Sequence, residues 1–206
     1  MRPRLGFIVE GHCEYDSIPS IVSKIEGHFN YPIINAQSIG NIIRHTNKLL
    51  LDIIKTYSPE KIIISLDYKD ALRQGIVKSC IELKDIVKNN AQEFIASQSN
   101  GTLILPNEIV VVIADKTYDS WICADYENLK QNDLFDATKI TENFSNVDEE
   151  IDNPCTWLES KLKSKVDLKS RAYRKKVVKT LRPEFAIQKS RSFRKFHKEI
   201  CTLNAA

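Results

Sequence analysis

The sequence predicts an α/β protein: a mostly parallel sheet with helices on both faces, followed by a basic helical C-terminal addition. Three observations lead there. Four short β-rich runs, LGFIVE, YPIINA, KIIISLD and EIVVVIAD, are separated by stretches long enough for helical crossovers. Those stretches place apolar residues at helical spacing. Charge also changes sign along the chain, with 15 Lys/Arg against 24 Asp/Glu in residues 1–160 and 15 against 3 in residues 161–206.

LGFIVE at 5–10 ends at Gly11, a residue that lets the backbone turn tightly. From Glu14 to His28, Ile18, Ile21, Val22 and Ile25 mark a helix. YPIINA at 31–36 is the second strand, and residues 39–57 carry Ile42, Ile43, Leu49, Leu50, Ile53 and Ile54 on one stripe closed by Ser58-Pro59. KIIISLD at 61–67 is a buried third strand, followed by a polar turn and a long helix through Ile76, Cys80, Leu83, Ile86, Val87 and Phe94. EIVVVIAD at 108–115 is the fourth strand. Parallel strands need long crossovers, and right-handed ones are strongly favoured. The composition then shifts to Asn, Asp, Thr and Ser, which predicts a loosely ordered connection. Helices are expected again over 156–165, 173–180 and 193–203. The expected divisions are an α/β domain at 1–130, a polar connection at 131–155 and a basic helical addition at 156–206.

With 206 residues, 42% hydrophobic and 28% charged, the chain is long enough to bury a core. The longest apolar runs, such as VVVIA at 110–114, are too short to span a bilayer, and the N-terminal stretch runs into Glu10 without reading as a secretory signal. A cytoplasmic location is expected. Five scattered cysteines without a Cys-x-x-Cys pair argue against a disulfide framework and a structural zinc site. There is no Gly-x-x-x-x-Gly-Lys-Ser/Thr loop, Gly-x-Gly-x-x-Gly fingerprint or Gly-x-Ser-x-Gly elbow, so ATPases, dinucleotide enzymes and serine hydrolases are disfavoured.

In open parallel sheets, ligands bind at the C-terminal ends of the strands. Glu10 follows the first strand, Asp67 ends the third, and Asp115 and Asp119 lie at or beyond the end of the fourth. FIVEGHCE holds Glu10 beside a Gly turn with Glu14 one helical turn on, and SLDYKD holds Asp67 and Asp70. Hard carboxylate oxygens suit magnesium, and a carboxylate beside a turn can act as a base toward water. Taken singly, the first reads better as helix-start acids and the second as a polar turn. Only His12 among the four histidines sits near this chemistry.

A glutamate after the first strand and an aspartate motif after the third resemble the Toprim fold of topoisomerases, primases and overcoming-lysogenization-defect nucleases. More narrowly, FIVEGHCE, SLDYKD, DSWICAD at 119–125 and SRSFRKF at 190–196 resemble the small stand-alone Toprim proteins of bacterial anti-phage defence loci. The resemblance implies Mg2+ or Mn2+ at Glu10, Glu14, Asp67, Asp70 and Asp119, with Glu10 and Asp67 catalytic. It also implies a nucleic-acid substrate, tRNA included, and a controlling ATPase of the ABC or SMC-like type. Two positions depart from the family pattern. The second acid of the usual Asp-x-Asp is displaced to Asp70, and Asp119 stands where a glutamate is usual.

The basic tail, with Lys189, Arg191, Arg194 and Lys195, is read as a nucleic-acid contact, because lysine and arginine neutralise phosphates by counterion release. Its aromatics, together with Trp121 and Trp157, are read as packing residues. The leading expectation is a magnesium-dependent nuclease; the alternative is a non-catalytic module of the same fold that binds an ATPase or nucleic acid. A phosphoacceptor receiver domain is disfavoured by the lack of an acidic pair at the first strand. A homo-oligomer is left open.

Overall fold

The computed structural model describes residues 2–98, 101, 103–164, 166–168 and 170–202. In chain order the first elements are β1 (Leu5–Val9), α1 (His12–Glu26), β2 (Ile33–Asn35), α2 (Ile39–Tyr57), β3 (Lys61–Asp67), α3 (Tyr68–Arg73), α4 (Cys80–Ser97) and β4 (Glu108–Ala114). The chain divides into two compact units: residues 2–15 and 30–113 form the first, and residues 16–29 and 114–202 the second. The expected divisions follow composition, whereas these units follow packing.

The first unit is built on an all-parallel four-stranded sheet in the order β2-β1-β3-β4. β1 lies between β2 and β3, registered from Leu5↔Lys61 to Val9↔Ser65 on one side and from Phe7↔Ile33 to Val9↔Asn35 on the other. Every residue of β1 and the first six of β3 are buried. Strands of parallel sheets buried on both faces read as continuous apolar runs rather than alternating ones, which is why IIISL carries no polar period.

On one face, Ile8, Ile62, Ile64, Leu66 and Val111 join the apolar stripes of α2 and α4, including Ile42, Ile53, Leu83, Val87 and Phe94. Fully burying each such side chain contributes roughly 1.5–3 kcal/mol. α2 begins where Ser38 Oγ accepts the Asn41 amide. It ends at Ser58, whose left-handed backbone (φ 49°) returns its N–H to Ile54. α4 opens on the same device, with Ser79 Oγ accepting from Glu82.

Two local expectations are corrected. Asp67-Tyr68-Lys69-Asp70, read as a polar turn, leads straight from β3 into α3. Ile76 lies between α3 and α4 rather than within a helix. The reason is that Gly75 takes φ 66°, a conformation that stops α3 before the Ser79 cap starts the next helix.

The second unit contains most of α1 and α5 (Asp119–Cys123), α6 (Tyr126–Leu129), α7 (Val147–Glu150), α8 (Pro154–Lys161), α9 (Arg171–Thr180), α10 (Pro183–Lys189) and α11 (Arg191–Cys201), with a 3₁₀ turn at Ala137–Lys139. Its centre is Trp121, fully buried against Tyr118, Phe193 and Phe196, with its indole N–H donating to Ser192 Oγ at 2.9 Å.

The connection expected to be loose is packed: Leu134, Phe135, Ile140, Phe144, Val147 and Ile151 are buried. Its Asn and Asp residues cap short turns, with Asp136 accepting from Thr138, Asn146 from Asp148 and Asn153 from Thr156. Capping side chains favour such positions because they satisfy orphan backbone amides. The helix expected over 156–165 ends already at Lys161, because Leu162 takes extended backbone, while the end expected at Leu203 lies outside the described residues.

Candidate active site at the sheet edge

The register that pairs Val9 with both Asn35 and Ser65 brings the ends of three strands together, with Glu10 just beyond β1, Asn35 closing β2 and Asp67 closing β3. Glu10 is 8% exposed, and its Oε2 accepts the Asp67 backbone N–H at 3.1 Å. The two residues are 57 positions apart in sequence, and the parallel sheet makes them neighbours.

Burial pushes the Glu10 carboxyl up to about 7; the charges of Glu14 and Asp70 act in the same direction, while the Asp67 and Ile39 amides oppose them. Glu14 is itself buried and folds back over the turn, its Oε2 lying 3.1 Å from where a Cβ on Gly11 would stand. Any larger residue at Gly11 would crowd that oxygen. Asp70 is half-exposed and lies 3.8 Å from Arg73. Glu10, Glu14, Asp67 and Asp70 therefore belong to one neighbourhood of the first unit.

A second arrangement at this edge escaped the sequence reading. Asn35 Oδ1 accepts the Gln37 backbone N–H at 2.8 Å, and Asn35 Nδ2 lies 3.0 Å from His12 Nδ1. An amide N–H requires an oxygen, so the Gln37 bond fixes which way the Asn35 amide faces. The Asn35 NH2 group then donates to Nδ1, and a neutral His12 carries its proton on Nε2. The exposed His12 ring thus keeps a donor available at the sheet edge. Gln37 takes a left-handed backbone, φ 69°, where its N–H meets Asn35 Oδ1.

Among the described residues no three acidic, histidine or cysteine side chains already form a metal cage. The donor set is nonetheless all hard oxygen, the kind magnesium takes while keeping several waters and needing only one or two protein carboxylates. A carboxyl that holds its proton because of burial and like charge is one that a cation would relieve. On that chemistry the residues present fit a divalent ion.

The other predicted acid, Asp119, belongs to the second unit, where its buried carboxylate pairs with Arg174. Asp125 is deeper still, at 2% exposure. It accepts the Arg182 backbone N–H at 2.8 Å and the guanidinium Nη2 at 2.7 Å, although burial still raises its carboxyl. Neither arginine was singled out from the sequence, because each lies more than fifty positions from its acid.

The motifs DSWICAD and SRSFRKF meet through the Trp121–Ser192 bond and are anchored by Asp148, which accepts from Ser190 Oγ and the Ser192 amide. Of the four predicted nucleic-acid contacts, Lys189 donates to Phe144 O at 2.7 Å and Arg191 pairs with Glu149 at 2.9 Å. Arg194 donates to Ile187 O at 2.8 Å, and Lys195 pairs with Glu199.

Fold and site together define an α/β chain with an acidic pair at the C-terminal edge of a parallel sheet. Comparison with protein-family models, curated proteins and solved structures gives no match. Among the described residues no helix is long and apolar enough to cross a membrane.

Proposed function

We propose that the chain is a Toprim-type nuclease that hydrolyses phosphodiester bonds of DNA or RNA with Mg2+ or Mn2+, acting as an anti-phage effector under a partner ATPase of the ABC or SMC-like type. The observation that carries this reading is the buried Glu10 carboxylate accepting the Asp67 amide at the sheet edge, with Glu14 and Asp70 close enough to raise its proton affinity. Glu10 and Asp67 would hold the divalent ion, with Glu14 and Asp70 behind them. The ion supplies charge neutralisation at the phosphate and lowers the proton affinity of water.

The chain's own contribution is proton handling and orientation. Burial and the charges of Glu14 and Asp70 raise the proton affinity of the ion-free Glu10 carboxyl, so proton and ion would compete for the same oxygens. The exposed Nε2–H of His12, held by Asn35, is a hydrogen-bond donor toward an anionic group at the same edge. The basic C-terminal region supplies attraction for the substrate backbone.

The test is incubation of the purified chain with plasmid, single-stranded oligonucleotides and tRNA in Mg2+ or Mn2+. Glu10→Gln and Asp67→Asn should each abolish cleavage, and the double variant should be no worse than either. Cleavage that survives both substitutions, or a parent inert on every substrate, would replace this reading with the second one. That second reading is a non-catalytic module of the same fold binding an ATPase or nucleic acid. It is favoured by the arginine partner that Asp119 already has.

A further inference from the structure

The second unit carries two strongly basic helices, and their cations are used differently. On α11 and the helix before it, Lys189, Arg191, Arg194 and Lys195 all reach carbonyls or acids of the same unit. On α9, burial alternates so that Arg174, Val177 and Val178 face inward while Arg171, Lys175, Lys176 and Lys179 are exposed. At 100° per residue these four cations span one face, with Arg171, Lys175 and Lys179 in a row about 6 Å apart along the axis.

Asp16 pairs with Arg171 and lies 3.6 Å from Lys175, so one buried carboxylate serves two cations. Lys176 lies over the Tyr173 ring at 6.0 Å. Among the described residues Lys176 and Lys179 have no acidic partner. At the far end of α9, Lys24 donates to the carbonyls of Lys179 and Leu181, adding a further positive group where the helix dipole is negative.

We infer that the outer face of α9, formed by Arg171, Lys175, Lys176 and Lys179, is the main surface on which the chain takes up a nucleic-acid backbone. The inference deepens the nuclease reading and rests on it only for the identity of the polyanion. Like charges at neighbouring helix positions destabilise a helix unless something offsets them, and Asp16 offsets only Arg171 and Lys175. A phosphate backbone offsets them and releases its own counterions. A membrane surface is the less suitable occupant. The exposed positions of α9 are Arg, Ala, Lys and Thr, with no apolar wedge to enter a bilayer.

The experiment is fluorescence anisotropy with labelled single-stranded and duplex oligonucleotides in EDTA, so that no cleavage occurs. Lys175→Ala, Lys176→Ala and Lys179→Ala are combined in one variant. Alanine is the best helix former, so α9 should persist, and circular dichroism checks that it does. At about 0.15 M salt this variant should bind at least tenfold more weakly than the parent. The slope of log affinity against log salt should fall by about 2, as expected for three lost contacts to a single strand. Arg191→Ala, Arg194→Ala and Lys195→Ala combined should lose less.

Unchanged affinity and slope in the α9 variant would overturn the inference, as would a larger loss in the α11 variant. So would a parent that binds anionic phosphatidylserine vesicles and no oligonucleotide. Binding through α9 by a chain that never cleaves would sink the nuclease reading and leave this one standing. Cleavage with α9 binding unaffected would do the reverse.

Discussion

Glu10 in the first unit and Asp125 in the second are buried carboxylates that each accept a backbone amide, Asp67 N–H in one case and Arg182 N–H in the other. They part at the next neighbour. Asp125 has the Arg182 guanidinium in contact through two nitrogens, whereas Glu10 has Glu14 and Asp70 close enough to raise its proton affinity further. A buried charge is costly unless paired. The second unit therefore brings its own cations to its acids, as it also does at Asp119. The first unit instead gathers Glu10, Glu14 and Asp70 at a sheet edge, where burial and like charge raise the Glu10 carboxyl and Arg73 lies 3.8 Å from Asp70.

The sharpest way to break this contrast is to remove the cation from the paired site. Arg182→Met should destabilise the second unit by about 4 kcal/mol, because it leaves Asp125 buried and uncompensated. Asp125→Leu added to it should recover most of that loss. Both tryptophans lie in this unit, so fluorescence during urea unfolding reads it directly. A loss below about 1 kcal/mol would mean that water already reaches Asp125.

Glu10 should respond with the opposite sign. It binds its proton up to about pH 7 when folded but only to about 4.5 when unfolded, so the folded state holds the extra proton between those values. Its contribution is fully present below 4.5 and is lost as pH rises through 7, a difference on the order of 3 kcal/mol. Glu10→Gln should therefore match the parent at pH 4 and be more stable by about that amount at pH 8, followed by hydrogen exchange of β1 and β3. A variant no more stable at pH 8 would place Glu10 among ordinary paired acids.

A smaller effect separates the two sites by ligand. Mg2+ at ten times its dissociation constant should stabilise the parent by about 1.4 kcal/mol at pH 8. Glu10→Gln should gain none of this, and Asp125→Asn should gain it in full. Smallest of all, Asn35→Leu should cost about 1 kcal/mol for the two exposed hydrogen bonds it removes. It should also release His12 from the Nε2–H tautomer, which nitrogen-15 chemical shifts of the ring report. A parent ring with its proton on Nδ1 would contradict the amide orientation set by Gln37.

The first unit was largely legible because its signals are local. The limits of β3 and the start of β4 follow from unbroken β-branched runs, and the end of α2 from Ser58-Pro59 as a stop signal. Glu10 and Asp67 could be placed at one edge because parallel topology aligns strand ends. The second unit resisted for the converse reason. Phe135, Ile140, Phe144 and Val147 follow one another at intervals of five, four and three residues across caps and turns, too irregular for a helical or strand period. α10 begins at Pro183, a favoured first helical residue that also reads as a loop residue. The pairings Arg174–Asp119 and Arg182–Asp125 are tertiary, so the same arginines counted toward a basic tail. Asn35 was passed over because only the fold brings it to His12.

Gly6 stands at the other end of β1 from Glu10, where a Cβ would lie 2.9 Å from Pro59 Cγ and 3.0 Å from Ile53 Cδ1. Only hydrogen fits between the strand and that corner. Sliding β1 by one residue would bring Leu5 or Phe7 into this gap and turn every side chain of the strand to the opposite face. The corner thus acts as a ruler, measuring four residues along the strand to set where the acid emerges. A one-residue insertion between Phe7 and Val9 should leave Gly6 seated and the sheet assembled, yet present Val9 where Glu10 now meets the Asp67 amide.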